Sequence, residues 1–202
     1  MTTPWTITPV WQGETVCIIG AGPDMTPELA QKYKKYKTIC VNRAIEFAPW
    51  ANAFVALDPH HPFWDAAETF NGMKICGVDC PEIDGLYAGL WYERVTLRNG
   101  ANVEIRNNAL AAIRIAERLG AKKIILLGFD PERYEEVHAH TGFRGLVEGL
   151  EQVTADLQSK GIEVERVDSE KQYPGTRPIK RGERRPGEVI DPKNFPKIKK
   201  AK

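Results

Sequence analysis

Val16-Cys17-Ile18-Ile19-Gly20-Ala21-Gly22-Pro23-Asp24-Met25-Thr26-Pro27 is the stretch that decides the fold. Four apolar residues run without a polar break, as in a strand covered on both faces. Gly20-Ala21-Gly22 then turns the chain, and Thr26-Pro27 reads as an N-cap followed by proline at the first helical position. Strand, glycine turn and helix in that order begin a nucleotide-binding α/β unit. The dinucleotide form of this turn also needs a third glycine five positions after Gly20, and an acidic residue closing the second strand. Met25 stands at the first of these places and Asn42-Arg43 at the second. NAD and FAD are therefore not expected. What remains is a turn whose backbone N–H groups, at the positive end of a helix dipole, suit a single phosphate.

Outward from this turn, short apolar runs recur at 15–19, 38–41, 53–57, 74–78, 123–127 and 162–167. Between them, 27–36, 108–119 and 143–159 carry helical signals. Apolar residues in the last two fall three and four apart, and Gly120 and Gly161 end them. This alternation predicts an α/β fold: a doubly wound, mostly parallel, Rossmann-like sheet in a single domain, residues 1–170.

From 171 to 202 proline, glycine and charge replace the apolar pattern. Eleven Lys/Arg and three Asp/Glu give this extension a net charge of +8, leaving 17 basic and 24 acidic residues, net −7, in the rest. The opposite signs predict that the extension associates with the body, or with a neighbouring subunit if the chain is a homo-oligomer. Tyr173 and Phe195 are its only aromatics, so weak nucleic-acid binding at most is expected.

The remaining composition, 202 residues with 42% hydrophobic and 27% charged, is that of a globular domain. No apolar stretch has membrane-spanning length, and the N-terminus lacks a secretory pattern, so no membrane partner is expected. Cys17 and Cys40 sit in apolar runs, while Cys76 and Cys80 lack a second pair to complete a zinc site. Reduced cysteines and a cytoplasmic location are the expectation.

Three blocks carry a resemblance. The first is "IIGAGPDM" (18–25), "TICVNRAI" (38–45) and "AFVALDPH" (53–60). The second is "NNALAAIRIAERLGAKKIILLGFDP" (107–131), and the third "HAHTGFRGLVEGLEQVTADLQSKGIEVERVDSE" (138–170). Their order resembles a Rossmann-like family shared by bacterial single-domain sialyltransferases and 6-hydroxymethylpterin pyrophosphokinase-like proteins, which includes short phage and bacterial members of unassigned role. Asp24 replaces the family's serine, and Asn107-Asn108 its Ser-Gly.

The resemblance implies a transferase using a nucleotide or nucleotide-sugar donor and an unidentified acceptor, glycosyltransferase-like. His140 matches the general base that deprotonates an acceptor hydroxyl, for which an imidazole has a suitable pKa. His138 and Asp58 are the further catalytic candidates. Gly20, Gly22, Pro23, Asn42, Asn108 and Asp130 are the nucleotide-binding candidates, the asparagines through amide hydrogen bonds. No cofactor is required by this reading. The pyrophosphokinase-like alternative would use ATP, with magnesium held by Asp58 and Asp130. A non-catalytic nucleotide-binding protein is the third reading. His60 and His61 read as a stiff loop between Pro59 and Pro62. Trp11, Trp50, Trp64 and Trp91 read as packing, the last two with an option on an acceptor pocket. "ERYEE" (132–136) reads as a solvated stretch beside the site.

Overall fold

The computed structural model runs from β1 (Thr15–Ile19) through α1 (Pro27–Gln31), β2 (Lys37–Val41), a 3-10 helix (Asn42–Glu46), β3 (Ala53–Ala56), α2 (Phe63–Ala67), β4 (Met73–Cys76) and β5 (Leu86–Ala88). It continues through β6 (Glu93–Thr96), β7 (Asn102–Ile105), α3 (Asn108–Arg118), β8 (Lys123–Leu127), α4 (Leu146–Ser159) and β9 (Glu163–Val167). The structure describes residues 7–22, 25–58, 63–77, 86–88, 93–129 and 145–167. All lie within one compact unit, Met1–Ser169. The basic extension 171–202 lies outside the described residues, as do Cys80 and Trp91. No helix among the described residues is long and apolar enough to cross a membrane.

Seven strands make one sheet in the order β5-β4-β3-β2-β1-β8-β9, and every neighbouring pair in it is parallel. The chain builds outward from β1 on one side, then returns to β1's other side with β8. That reversal between β1 and β8 is the switch point of a doubly wound α/β fold. The expected fold class is what the chain adopts.

Alternation along each strand divides the core into two layers. Val16, Ile18, Ile39, Val41, Val55, Ile75, Ile124 and Leu126 join Leu110, Ile113, Leu150, Val153 and Leu157 of α3 and α4 in one buried cluster. The intervening residues, among them Cys17, Cys40 and Phe54, point the other way. There Trp64 of α2 meets Phe54 edge-on with ring centres 5.0 Å apart, and Phe70 lies 6.2 Å from the same ring. Both strand faces are thus covered, which is why these strands read as continuous apolar runs rather than alternating ones.

Helix ends follow the sequence signals, and Gly120, at φ +99° with its N–H on Glu117 O, closes α3 as expected. Beyond α4, Gly161 N–H donates to Gln158 O and Ile162 N–H to Leu157 O, with Gly161 at φ +78°. This is the paired Schellman arrangement that satisfies the last carbonyls. At the start of α1, Thr26 Oγ1 accepts Leu29 N–H at 3.2 Å with proline following the cap.

The predicted helix over 27–36 is corrected to the five residues Pro27–Gln31. Lys32, Tyr33, Lys34 and Tyr36 instead donate their backbone N–H to the third preceding carbonyl. Past Ala30 there is no buried apolar position to hold another α-turn, and Lys32, Lys34 and Lys35 repel one another on so short a segment.

A second, two-stranded antiparallel sheet, the hairpin β6–β7, adds to the expected elements. Its signal lies in Asn99-Gly100, flanked by Val95 and Leu97 on one side and Val103 and Ile105 on the other. Side chains from the two long helices hold it in place. Gln152 of α4 accepts from Thr96 N at 3.1 Å and donates to Thr96 O at 2.6 Å, as a neighbouring strand would. Arg114 of α3 grips both carboxylate oxygens of Glu93, at 2.9 and 3.2 Å, and also bonds Glu117 and Asp156. The hairpin leads directly into Arg106, Asn107 and Asn108, so this network fixes the approach to the carboxyl edge of the sheet.

The cysteines need one correction. Cys17 and Cys40 are free and buried, and burial pushes the Cys17 thiol up to about 12 and that of Cys40 higher still. Cys76, however, is disulfide-bonded, where composition favoured a reduced thiol. A count of cysteines carries no information about which sulfurs the fold brings to bonding distance.

Candidate functional site

The carboxyl ends of β1, β2, β3, β4 and β8 bring together most of the described site candidates. Ile19 pairs with both Cys40 and Leu127, Val41 with Val55, and Ala56 with Cys76. Gly20, Asn42, Leu57-Asp58, Gly77 and Gly128 therefore follow one another along a single edge. In open α/β sheets this edge, at the switch point, is where ligands sit.

The glycine turn answers first to packing. Gly20 N–H donates to Leu127 O at 2.8 Å and Gly22 N–H to Gly128 O at 3.0 Å. A Cβ on Gly20 would stand 2.7 Å from Gly128 O, and one on Gly22 would stand 2.6 Å from it. The loops after β1 and β8 thus touch backbone to backbone across the switch point, and only glycine permits that approach. Met25 completes the contact. Its Cγ and Sδ lie against Gly128, which has φ +73° and no room for a side chain.

A phosphate held at this turn would not draw on the amides of Gly20 and Gly22, since both donate within the protein. Ala21 N–H, half-buried between them, has no acceptor among the described residues. Nor does α1, at five residues, sum many peptide dipoles. Pro23 lies outside the described residues.

Asn42 sits one residue past β2 with φ +52°, the one non-glycine residue in the left-handed region among the described residues. Asparagine tolerates this conformation better than most residues, but it still carries strain. Its side chain is half-buried and its amide has no hydrogen bond among the described residues. Residues held off the common backbone regions at a strand end cluster where function is built.

Asn107 and Asn108 divide two tasks. Asn107 is the N-cap of α3, its Oδ1 accepting from Ala109 N at 2.8 Å and Leu110 N at 3.3 Å. Asn108 reaches across to β3 instead, where its Oδ1 accepts Leu57 N–H at 2.6 Å. That bond fixes the side chain at the carboxyl edge and leaves its Nδ2 group as a donor without an acceptor among the described residues. Asp58, the next residue, is exposed, and its main-chain carbonyl accepts from Trp64 Nε1 at 2.8 Å. Trp64 is therefore packed and bonded, as the packing reading expected, and Trp11 is likewise buried.

Arg106 had no place in the sequence reading. Its Nη2 donates to Leu57 O at 2.7 Å, so Arg106 and Asn108 clamp both backbone groups of Leu57. The guanidinium rests on Gly77, at the end of β4, where a Cβ would collide with Nη2. Nothing in the local sequence marks this arginine, because the contact joins residues 49 apart.

His138, His140 and Asp130 lie outside the described residues, as do His60, His61 and 132–136. Of the pair assigned to magnesium, Asp58 alone is described, and among the described residues no group of three or more His, Cys, Asp or Glu is placed to hold a metal ion. No protein-family model, no curated protein and no solved structure matches the chain; the site is defined by its own geometry.

Proposed function

We propose that the chain binds a nucleotide-linked donor along the carboxyl edge of its sheet and transfers a group from it, in the manner of the single-domain sialyltransferases that its sequence resembles. The observation that carries this reading is the convergence on one edge of Asn42, strained, and Asn108, neither the Asn42 amide nor Asn108 Nδ2 having a hydrogen-bond partner among the described residues. Amide groups of this kind recognise base and ribose edges by paired donors and acceptors. The switch point beside them supplies a crevice.

In this reading His140 takes the proton of the acceptor hydroxyl. The hydroxyl oxygen forms the bond to the transferred group while the bond from that group to the nucleotide phosphate breaks, the phosphate leaving with the electron pair. His138 and Asp58 are the further candidates for a part in that step. A general base of this kind contributes about two to four orders of magnitude to turnover.

The test is calorimetric titration of the full chain with nucleotides and nucleotide sugars, with and without magnesium. One base is expected to bind, and Asn42→Gly, which keeps the backbone unstrained, is expected to weaken it about tenfold. Failure of every nucleotide to bind the folded protein overturns the reading. With a donor identified, unchanged turnover in His140→Ala removes the histidine from the step.

A further inference from the structure

Arg106 differs from four other described arginines, each of which holds a carboxylate. Arg43 pairs with Glu46, Arg94 with Glu104, Arg98 with Glu151, and Arg114 with Glu93, Glu117 and Asp156. Arg106 has no carboxylate partner among the described residues, although acidic residues outnumber basic ones outside the extension 171–202. Its one hydrogen bond among the described residues, to Leu57 O, uses a single N–H of five. Gly77 beneath it has given up its side chain space to the guanidinium. The result is a positive charge anchored at one N–H, exposed at the carboxyl ends of β3 and β4, with most of its donors unused among the described residues.

We infer that Arg106 recognises an oxyanion, phosphate or carboxylate, at the far end of the crevice from the glycine turn. A fixed guanidinium binds such groups through two parallel N–H···O bonds, a geometry that a lysine cannot reproduce. The position also defines a length. The β1–β8 switch point and the β3–β4 boundary are three strand intervals apart in the sheet, or about 14 Å at the usual spacing. A nucleoside does not cover that span, whereas an extended nucleotide-linked molecule with a charged terminus does, Asn42 and Asn108 lying along its path. As a description of the donor, the inference rests on the proposed function; as an anion site, it stands on Arg106 alone.

The experiment titrates the full chain and two variants, Arg106→Met and Arg106→Lys, with inorganic pyrophosphate and with malonate. Binding is followed by NMR, including the Arg106 Nε–H resonance in the wild type. The basic extension 171–202 attracts anions too, but all three proteins carry it, so the comparison between them isolates Arg106. The expected result is at least a tenfold loss of affinity in Arg106→Met for whichever anion binds, with Arg106→Lys between the two. An ammonium keeps the charge but lacks the planar fork that holds Leu57 O and a bidentate anion in one fixed geometry. Preference for pyrophosphate assigns a phosphoryl group, and preference for malonate a carboxylate. Should Arg106→Met unfold, Arg106→Lys alone decides.

Equal affinity in wild type and folded variants, or no binding of either anion with no shift of the Nε–H resonance, overturns the inference. The nucleotide titration separates the two readings. If no nucleotide binds while the anion loss tracks Arg106, the anion site stands and the nucleotide reading falls. If a nucleotide binds but the variants hold both anions as the wild type does, the nucleotide reading stands and the role of Arg106 falls.

Discussion

Gly22→Ala is the substitution that separates a glycine kept for a ligand from one kept for packing. The added methyl would stand 2.6 Å from Gly128 O, where ordinary contact begins near 3.4 Å. One of the two loops must therefore yield by about 0.8 Å, the difference between those distances. The same oxygen accepts Gly22 N–H at 3.0 Å, so retreat from the methyl lengthens that bond. Gly128 is also backed by the side chain of Met25. Overpacking of this kind costs about 1–3 kcal/mol, and a weakened buried hydrogen bond about 1 kcal/mol more. A total of about 2–4 kcal/mol corresponds to a fall in Tm of about 5–15 °C for a domain of this size. Urea unfolding followed by circular dichroism measures it, with an unchanged m-value expected because the fold persists. Met25→Ala gives Gly128 room to move, so the double variant should lose less than the sum of the singles, by about 1 kcal/mol. A Gly22→Ala protein as stable as wild type, or strictly additive losses, would refute the packing argument and return the glycine to a ligand.

Three further outcomes follow from single features. Asn42→Ala should cost about 1–2 kcal/mol because of the left-handed backbone at φ +52°, while Asn42→Gly should cost nothing or gain; equal stability of the two in thermal unfolding would show that the backbone imposes no constraint. Hydrogen bonds from Lys160 and then Arg114 hold the Asp156 carboxyl below its ordinary value of 3.8. Its contribution, about 1 kcal/mol or less for so exposed a pair, is present in full above about pH 4 and is lost as pH falls through the lower folded value. The Tm difference between wild type and Asp156→Asn should accordingly shrink as pH falls below about 4, and a difference that stays constant from about pH 7 into acid would rule the linkage out. Burial and raised pKa values make Cys17 and Cys40 inert, so alkylation at pH 8 followed by mass spectrometry should label neither until denaturant is added; rapid labelling of the native protein would contradict their burial.

The backbone architecture was legible where local chemistry and tertiary need agree. Uninterrupted apolar runs such as Ile124–Leu127 mark strands covered on both faces, and Gly161 marks a helix end, because these demands act between residues close in sequence. The run of lysines after Ala30 misled for the same reason. Helical propensity is present there, but nothing in the local sequence says that no core waits to receive another turn. The hairpin at Asn99-Gly100 has a local signal of the same kind, a turn dipeptide between apolar residues.

At the site, the sequence by itself determined a strand–glycine–helix unit, an argument against NAD, and asparagines at strand ends. It could not tell a glycine that admits a phosphate from one that admits a neighbouring loop, since Gly20 and Gly22 satisfy both descriptions until Gly128 is brought against them. Met25 read as a missing glycine and is in fact the side chain that closes the contact. Arg106 was invisible. Its role depends on Leu57 and Gly77, which local sequence cannot connect to it. Those pairings are decided by sheet order, and sheet order is settled only when the chain buries its two apolar layers together, a long-range free energy that no short stretch of sequence contains.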